Sequence, residues 1–273
     1  MKKILIIGKK SFLGLGLLHF FKRNNLDVNS VDFKNFLKKK KFFFEKFNFI
    51  INCTSNIKFI ENKYNSLNDH DLIIAKKIID TKTKLITLST RKVYKSKYNI
   101  KENDTIKPSC KYSANKFISE NSVQKILHER SLILRISNVI GFPNNNKRKL
   151  HKTFVDIFFD KAMQGYIYNN KNIYKDFISI NKFNEIILKL ISNNAYGIFN
   201  VSLGKKVYLS KITKWLNFYN KNKITILNRK KSFNNDNFTL NNNKLLNKIK
   251  IKINLTELRK DCLEISKNFF IKK

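Results

Sequence analysis

The stretch Lys3-Ile4-Leu5-Ile6-Ile7-Gly8-Lys9-Lys10-Ser11-Phe12-Leu13-Gly14 decides the fold of this chain. Its short apolar run predicts a buried strand, and the residues that follow the turn predict a helix. Gly8 permits a tight turn, and Gly14 lets the helix pack closely on the strand. The N-terminus of such a helix offers unpaired N–H groups and a partial positive charge to a pyrophosphate. Because the chain has only seven glycines, two at this spacing indicate a dinucleotide-binding turn rather than a plain connection.

Short, nearly all-apolar runs then alternate with amphipathic stretches through the first half of the chain. The predicted strands are 3–7, 27–31, 48–53, 84–88 and 131–136, and the predicted helices between them are 12–22, 65–80 and 112–129. This alternation predicts an α/β fold, a Rossmann-type doubly wound parallel sheet buried on both faces. We expect a dinucleotide-binding domain over 1–143, to which later segments return, and a smaller C-terminal substrate lobe over 144–273. A polar link at 144–149 and a helix near 152–164 begin that lobe.

The charge of the chain resembles that of a nucleic-acid-binding protein, with 56 Lys and Arg against 19 Asp and Glu. Only seven of the basic residues are Arg, however, whereas nucleic-acid readers favour the bidentate guanidinium. The chain is rich in Lys, Asn, Ile and Phe and poor in Gly and Pro. This composition is the bias expected of an AT-rich genome. No zinc-finger, RNP or helix-turn-helix pattern is present. Nucleic-acid binding is therefore not expected as the main role.

The cysteines Cys53, Cys110 and Cys262 are odd in number and widely spaced. They predict a reducing compartment, without disulfides and without a metal site. The apolar run at the start stops after four residues, and no stretch is long enough to span a bilayer. We expect a cytoplasmic protein with no membrane partner.

Tyr112 and Lys116 lie four residues apart on a predicted helix and so share one face. An ammonium beside a phenol stabilises the phenolate, which is expected to lower the Tyr pKa from about 10 toward neutrality. Ser89-Thr90 ends an apolar strand upstream of this pair. The order of glycine turn, hydroxyl and Tyr–Lys pair predicts a site for proton transfer beside a dinucleotide.

Asp32 ends the second predicted strand, where a carboxylate would bind the hydroxyls of an adenosine ribose. It would repel a phosphate on that ribose, which favours NAD. Lys9, Lys10 and Lys34 lie close enough in sequence to leave NADP open. A second reading of Asp32, as a residue that caps a turn, is equally compatible with the sequence.

These motifs together resemble the extended short-chain dehydrogenase/reductase family, in particular its nucleotide-sugar epimerases, dehydratases and dTDP-4-dehydrorhamnose-reductase-like members. The resemblance runs nearly end to end and rests on the order of its motifs. They are the turn from Gly8 to Gly14 with Ser11 in place of the family's middle glycine, strand 50–55, strand 85–90, the Tyr112–Lys116 pair, and segments 134–143, 175–178 and 196–201.

The resemblance implies a role for each matching residue. The implied catalytic residues are Thr90, Tyr112 and Lys116; the implied cofactor-binding residues are Gly8, Ser11, Phe12, Leu13, Gly14, Asp32 and Lys116; and the implied substrate-binding residues are Asn138 and Lys175. Tyr112 would exchange a proton with a sugar oxygen that Thr90 orients, and Lys116 would bind the nicotinamide ribose. Asn65 is a further residue that could steady the site.

Departures from the family narrow the expected reaction. Arg91-Lys92 stands where dehydratases carry Asp-Glu, which argues against dehydration. Lys175 stands where the family often has an Arg that binds the substrate diphosphate. Lysine keeps the positive charge but lacks the bidentate guanidinium group. We expect an enzyme acting on a nucleotide-linked sugar with NAD or NADP, and 4-keto reduction is favoured. A 4-epimerase and a non-catalytic dinucleotide-binding protein are the alternatives, and a homodimer is a family expectation.

Overall fold

A computed structural model describes residues 2–142, 152–169, 171–222, 224–228 and 236–271. The polar link predicted at 144–149 lies outside them. The strands are β1 (Ile4–Ile7), β2 (Val28–Val31), β3 (Phe49–Asn52), β4 (Lys84–Thr90), β5 (Ser131–Ile136), β6 (Asn138–Ile140), β7 (Tyr166–Asn169), β8 (Tyr174–Lys175), β9 (Phe177–Ser179), β10 (Gly197–Val201), β11 (Val207–Tyr208) and β12 (Thr225–Asn228). The helices are α1 (Phe12–Arg23), α2 (Phe33–Leu37), α3 (Lys41–Phe44), α4 (Ile57–Glu61), α5 (His70–Lys77), α6 (Lys111–Leu127), α7 (Phe154–Met163), α8 (Ile180–Ser192), α9 (Leu209–Leu216), α10 (Asn243–Ile249) and α11 (Leu255–Phe270).

Among the described residues, six strands form one parallel sheet in the order β10-β5-β4-β3-β1-β2. The predicted doubly wound α/β fold is thereby confirmed. Every residue of β1, β3 and β5 is buried, as expected for strands covered on both faces. The edge strand β2 is only partly buried and reads Val-Asn-Ser-Val. β10 comes from late in the chain and pairs with β5, so the C-terminal half contributes to this sheet.

Helices cover the sheet on both faces. On one face α1 and α8 pack through apolar side chains such as Leu17, Phe183 and Leu190. A Cβ at Gly16 would lie 3.0 Å from a side-chain carbon of Ile180, so the missing side chain lets these two helices approach. On the other face α5 and α6 pack through residues that include Val123.

A second apolar cluster lies among α7, α9 and α11, around Phe158, Phe177 and Trp215. Small two-stranded sheets join this part: β8 with β11, β7 with β12, and β6 with β9. The segment 236–240 returns from here toward the main sheet, where Ile100 N donates to Thr239 O at 2.9 Å. No helix among the described residues has the length and apolar character needed to cross a membrane.

Two differences between the predicted and the observed elements bear on the site. The helix predicted over 65–80 begins only at His70, because Asn65 accepts from Leu67 N and opens a separate 3₁₀ turn. Asp69 then caps α5 by accepting from Leu72 N at 3.1 Å. The strand predicted over 84–88 continues to Thr90. Its last residue therefore lies beyond the end of β3 and level with the last residue of β5.

Candidate active site

The carboxyl ends of the parallel strands bring the predicted motifs to one edge of the sheet. Gly8 follows β1, Thr54 lies two residues after β3, and Thr90 ends β4. The chain order reverses at β1, whose neighbours are β2 and β3. In doubly wound sheets ligands bind in the crevice at such a switch point.

The glycine turn is closed by contacts that a side chain would block. Gly8 has φ +97°, and a Cβ there would lie 2.6 Å from the Thr54 methyl carbon. A Cβ at Gly14 would lie 2.3 Å from the Gly8 carbonyl oxygen. Ser11 Oγ donates to that same oxygen at 2.9 Å and accepts from Gly14 N at 3.0 Å. Ser11 thus caps α1 and joins the two ends of the turn by hydrogen bonds.

The start of α1 carries backbone N–H groups without intrahelical partners. Ser11 is its N-cap, so the N–H groups of Phe12 and Leu13 lie in the first turn, where no intrahelical carbonyl can reach them. The ring of Phe12 packs on Gly141, where a Cβ would lie 2.6 Å from Phe12 Cζ. A tight turn, first-turn N–H donors and a helix dipole favour an anion, so diphosphate binding here stays a prediction.

Asp32 follows β2 and caps α2. Its Oδ1 accepts from Asn35 N at 2.8 Å, and its Oδ2 accepts from the Asn35 side chain at 2.8 Å. The capping role that the sequence allowed is therefore present. Each carboxylate oxygen has a second lone pair, so a ribose contact stays a prediction.

Lys116 lies at the centre of a buried polar network. Its ammonium donates to Asp71 Oδ2 at 2.8 Å, and Asn52 donates to Asp71 Oδ1 at 2.7 Å. Asn52 Oδ1 in turn accepts from the Thr54 hydroxyl at 2.7 Å. Since Thr54 touches Gly8, a continuous chain of contacts joins the glycine turn to the predicted catalytic lysine.

The sequence reasoning missed Asp71 and proposed Asn65 instead. Asn65 is exposed and caps the 3₁₀ turn before α5, so it does not reach this network. One signal could have identified Asp71. It is one of only 19 acidic residues in the chain, and it precedes the apolar run Leu72-Ile73-Ile74-Ala75. A carboxylate beside the apolar face of a helix needs a buried partner.

The expected effect of Lys116 on Tyr112 is wrong in this structure. Burial raises the pKa of the half-buried Tyr112 phenol above its usual value, and this outweighs the lowering by the Lys116 ammonium. The carboxylate of Asp71 raises the pKa of Tyr112 further, because it opposes the field of the lysine that it pairs with. Tyr112 therefore keeps its proton at neutral pH.

Thr90 stands at the end of β4, and α6 packs against this strand and the 3₁₀ turn after it. Its hydroxyl oxygen accepts from Lys92 N at 3.2 Å and caps that turn. The preceding hydroxyl has a different role, because Ser89 donates to the buried Glu120 carboxylate, which pairs with Arg135. The hydroxyl of Ser89 is thus engaged by a buried carboxylate, and the catalytic role of Thr90 stays a prediction.

The two predicted substrate contacts lie close to each other. Asn138 Nδ2 donates to the Asp176 carbonyl at 3.1 Å, and Lys175 is the neighbour of Asp176 in sequence. Lys175 Nζ donates to the carboxylate and the carbonyl of Asp236, each at 3.1 Å. Burial lowers the pKa of Lys175, although Asp236 opposes this.

Arg91 shares the Asp236 carboxylate with Lys175. One guanidinium nitrogen donates to Asp236 Oδ1 at 2.9 Å and the other donates to Oδ2, and the guanidinium carbon lies 3.9 Å from the centre of the Phe238 ring. Asp236 was not singled out from the sequence. It links Arg91, which follows Thr90, to Lys175, so the end of β4 and the predicted substrate contact Lys175 meet at one carboxylate.

Comparison with known proteins supports this architecture. The family model described as the RmlD substrate binding domain matches residues 1–165. No curated protein matches the chain. Among solved structures, a UDP-N-acetylglucosamine 4-epimerase from Methanobrevibacter ruminantium M1, in complex with UDP-N-acetylmuramic acid, is 16% identical with a TM-score of 0.80, covering 98% of each chain.

Two further structures share the fold. A dTDP-glucose 4,6-dehydratase from Bacillus anthracis, in complex with NAD, is 16% identical with a TM-score of 0.73, covering 98% of this chain and 96% of that one. A dTDP-4-dehydrorhamnose reductase from Clostridium acetobutylicum is 17% identical with a TM-score of 0.75, covering 95% and 98%. The fold is thus shared by proteins named for three different reactions, and does not by itself select one of them.

Proposed function

Because this chain belongs to the RmlD substrate binding domain family, we propose that it is an NAD(P)-dependent enzyme that reduces a 4-keto group of a nucleotide-linked sugar. The observation that carries this proposal is Tyr112, a phenol with a raised pKa, placed on α6 with Lys116 where that helix packs against the end of β4. A phenol that keeps its proton at neutral pH carries the proton that a carbonyl oxygen would receive, whereas a general base would first have to lose it.

The proposed reaction gives each residue one task. A bound reduced nicotinamide would supply a hydride to the carbonyl carbon. Tyr112 gives its proton to the oxygen as the C=O double bond is lost, and the Thr90 hydroxyl orients that oxygen. Lys116 binds ribose hydroxyls with N–H groups that Asp71 leaves available, and its charge stabilises the transient phenolate. The product is a secondary alcohol, and Tyr112 regains its proton from water.

The cofactor and the substrate are assigned from neighbouring residues. The N–H groups at the start of α1 would hold the dinucleotide diphosphate, and Asp32 would hold the adenosine ribose, which favours NADH over NADPH. Asn138 and Lys175 would contact the nucleotide-linked substrate. A substrate phosphate would compete with Asp236 for Lys175, since that carboxylate now holds the ammonium.

The test is reductase activity with a panel of UDP- and dTDP-linked 4-keto sugars, followed by loss of nicotinamide absorbance with NADH or NADPH. We expect oxidation of the reduced cofactor that depends on the keto sugar. If the purified protein instead carries tightly bound NAD and interconverts sugars without added reductant, it is an epimerase and the reductase proposal is wrong.

The matched control is Tyr112→Phe, which keeps the ring and removes the proton. We expect turnover to fall by about 10²- to 10⁴-fold, because a general acid contributes about that much, while NADH binding stays close to that of the wild type. An unchanged rate would mean that Tyr112 is not the proton donor.

A further inference from the structure

Asp71 is a buried carboxylate to which the proposed reaction assigns no step. It is 2% exposed and lies on α5, and its two oxygens have different partners. Lys116 of α6 donates to one oxygen at 2.8 Å, and Asn52 at the end of β3 donates to the other at 2.7 Å. The side chains of the ion pair are 5% and 3% exposed. Both charges are therefore held where water does not screen them.

This geometry sets the position of the lysine. Lys116 also lies 5.6 Å from the centre of the Phe59 ring, so Asp71 and Phe59 approach the ammonium from two elements. Asp71 cannot swing away, because Asn52 holds it and Thr54 holds Asn52 through two hydrogen bonds. Of the three ammonium N–H donors, Asp71 uses one and the other two can serve a ribose.

The same geometry sets the charge felt by the phenol. An isolated ammonium four residues along the helix would favour the phenolate of Tyr112, but a carboxylate within hydrogen-bonding distance of that ammonium offsets part of its field. We propose that Asp71 is a positioning residue that fixes Lys116 and offsets its charge at Tyr112, so that this site favours giving a proton over taking one. This inference rests on the proposed role of Tyr112 as the proton donor.

Other titratable groups near the pair do not change this assignment. Asp69 accepts from Ser119 and Tyr64 rather than from Lys116, and burial raises its pKa. Burial lowers the pKa of His70 to about 4, so it is neutral at neutral pH. Burial raises the pKa of the Cys53 thiol, which is likewise uncharged. Cys110, at the N-cap of α6, has a lowered pKa and raises that of Tyr112.

The inference is tested by titrating Tyr112 without substrate. Phenolate formation is followed by ultraviolet difference absorbance over the alkaline range in which circular dichroism shows the fold intact. The signal of Tyr112 is isolated by subtracting Tyr112→Phe in each background. In Asp71→Asn we expect phenolate to form at a pH lower by about one unit or more, because the ammonium is no longer offset. An unchanged or higher midpoint would overturn the inference.

Two further variants keep the test decisive. Asp69→Asn is the matched control, and a shift as large as that of Asp71→Asn would show that any nearby carboxylate has the same effect, which overturns the assignment. If Asp71→Asn does not fold, the double variant Asp71→Asn/Lys116→Gln removes both charges. Its Tyr112 should titrate close to the wild type, and a large shift would mean that the two charges do not offset each other.

This titration separates the inference from the proposed function. A protein with no reductase activity would still show the shift if Asp71 offsets Lys116. If the protein is an active reductase, Asp71→Asn should move the alkaline limb of its pH–rate profile in the same direction as the phenolate titration, while Asp71→Glu should restore it toward the wild type. A pH profile unchanged in active Asp71→Asn enzyme would also contradict the inference.

Discussion

At the scale of single residues, the site depends on groups whose neighbours change their chemistry. Tyr112 and Lys116 are where the sequence placed them, but a third residue, Asp71, determines how the ammonium acts on the phenol. A buried ion pair stabilises a protein little in net terms, because desolvation offsets its attraction. We therefore relate this pair to the position and charge of Lys116 rather than to stability.

Replacing Gly14 by Ala should weaken both the fold and dinucleotide binding. The new Cβ would lie 2.3 Å from the Gly8 carbonyl oxygen, so the turn must open. We expect the free energy of unfolding to fall by about 1–3 kcal/mol, as for overpacking elsewhere, and NADH affinity to fall with it. Urea unfolding and calorimetric titration with NADH measure the two effects.

Gly16→Ala is the matched control on the same helix. There the nearest atoms belong to the side chain of Ile180, at 3.0 Å, and alanine gains about 1 kcal/mol of helix propensity over glycine. Its stability should therefore change little. Equal NADH affinity in wild type and Gly14→Ala would mean that this turn is not the cofactor site.

His70 should make the fold sensitive to mild acid. Burial lowers its pKa to about 4 in the folded chain, whereas an unfolded histidine titrates near about 6.5. As the pH falls through this window the unfolded state binds the proton first, so stability present above about pH 6.5 is lost, by at most about 3 kcal/mol.

His70→Phe tests this, because a ring is kept against Phe33, which lies 3.5 Å away between centroids. The variant loses the hydrogen bond to Thr54 at every pH, so its stability at one pH is not informative. The informative quantity is the slope of the free energy of unfolding against pH. Urea unfolding of both proteins between pH 4 and 7 should show that the free energy of unfolding of the variant changes less with pH. Identical slopes would mean that His70 does not remain neutral in the fold.

At the scale of elements, the site is assembled by segments that reach across the sheet edge. α5 places Asp71 beside Lys116 of α6, and the end of β3 places Asn52 beside Asp71. On the other side, the segment 236–240 delivers Asp236 to Arg91 and Lys175. The same segment is held at its far end, where Leu240 N donates to the buried Asp176 carboxylate at 2.9 Å.

Asp236→Asn should lower the stability of the protein at neutral pH, because it weakens the attachment of segment 236–240. Although burial opposes it, the hydrogen bond from Arg91 holds the pKa of Asp236 well below its usual range. The carboxylate therefore contributes stability above about pH 4, the unfolded value, and that contribution is lost as the pH falls further. The variant should unfold at a lower urea concentration than the wild type at pH 7, with a smaller difference in acid.

The control for this variant is Asp160→Asn. Asp160 pairs with Lys152 at 2.6 Å, but their side chains are 50% and 63% exposed. Solvent-exposed pairs contribute little, so stability should hardly change. A difference between Asp236→Asn and wild type no larger than that of this control would show that Asp236 does not hold the segment.

At the scale of the whole molecule, the formal charge of +37 is the dominant electrostatic feature. Like charges on a compact surface repel, and salt screens that repulsion over a Debye length that falls from about 30 Å at 0.01 M to about 8 Å at 0.15 M. The thermal unfolding midpoint should therefore rise when sodium chloride is added across this range.

An uncharged solute at matched osmolality is the control, since it leaves the Debye length unchanged. The midpoint should rise more with the salt than with this solute. A midpoint that falls with salt would mean that attractive pairs outweigh the net repulsion.

The sequence by itself determined the architecture of the sheet and the order of the motifs. Apolar runs such as Ile4–Ile7 predict buried strands, and Gly8 is required by a turn that excludes a Cβ. These are local properties, set by the period of the apolar residues and by backbone sterics, so they can be read from adjacent residues. For the same reason strand 131–136 was predicted with its observed bounds.

Only the tertiary structure decided which carboxylate pairs with which cation at the site. Lys116 and Asp71 are 45 residues apart in the sequence, and Arg91 and Asp236 are 145 apart. Lysine is so abundant in this chain that no spacing rule singles out the ammonium that each carboxylate meets. The pKa of Tyr112 depends on burial, on Lys116 and on the carboxylate of Asp71 that pairs with Lys116. The burial and the ion pair exist only once α5, α6 and the sheet have packed together. A raised rather than lowered phenol pKa therefore follows from the fold and not from the Tyr–Lys spacing.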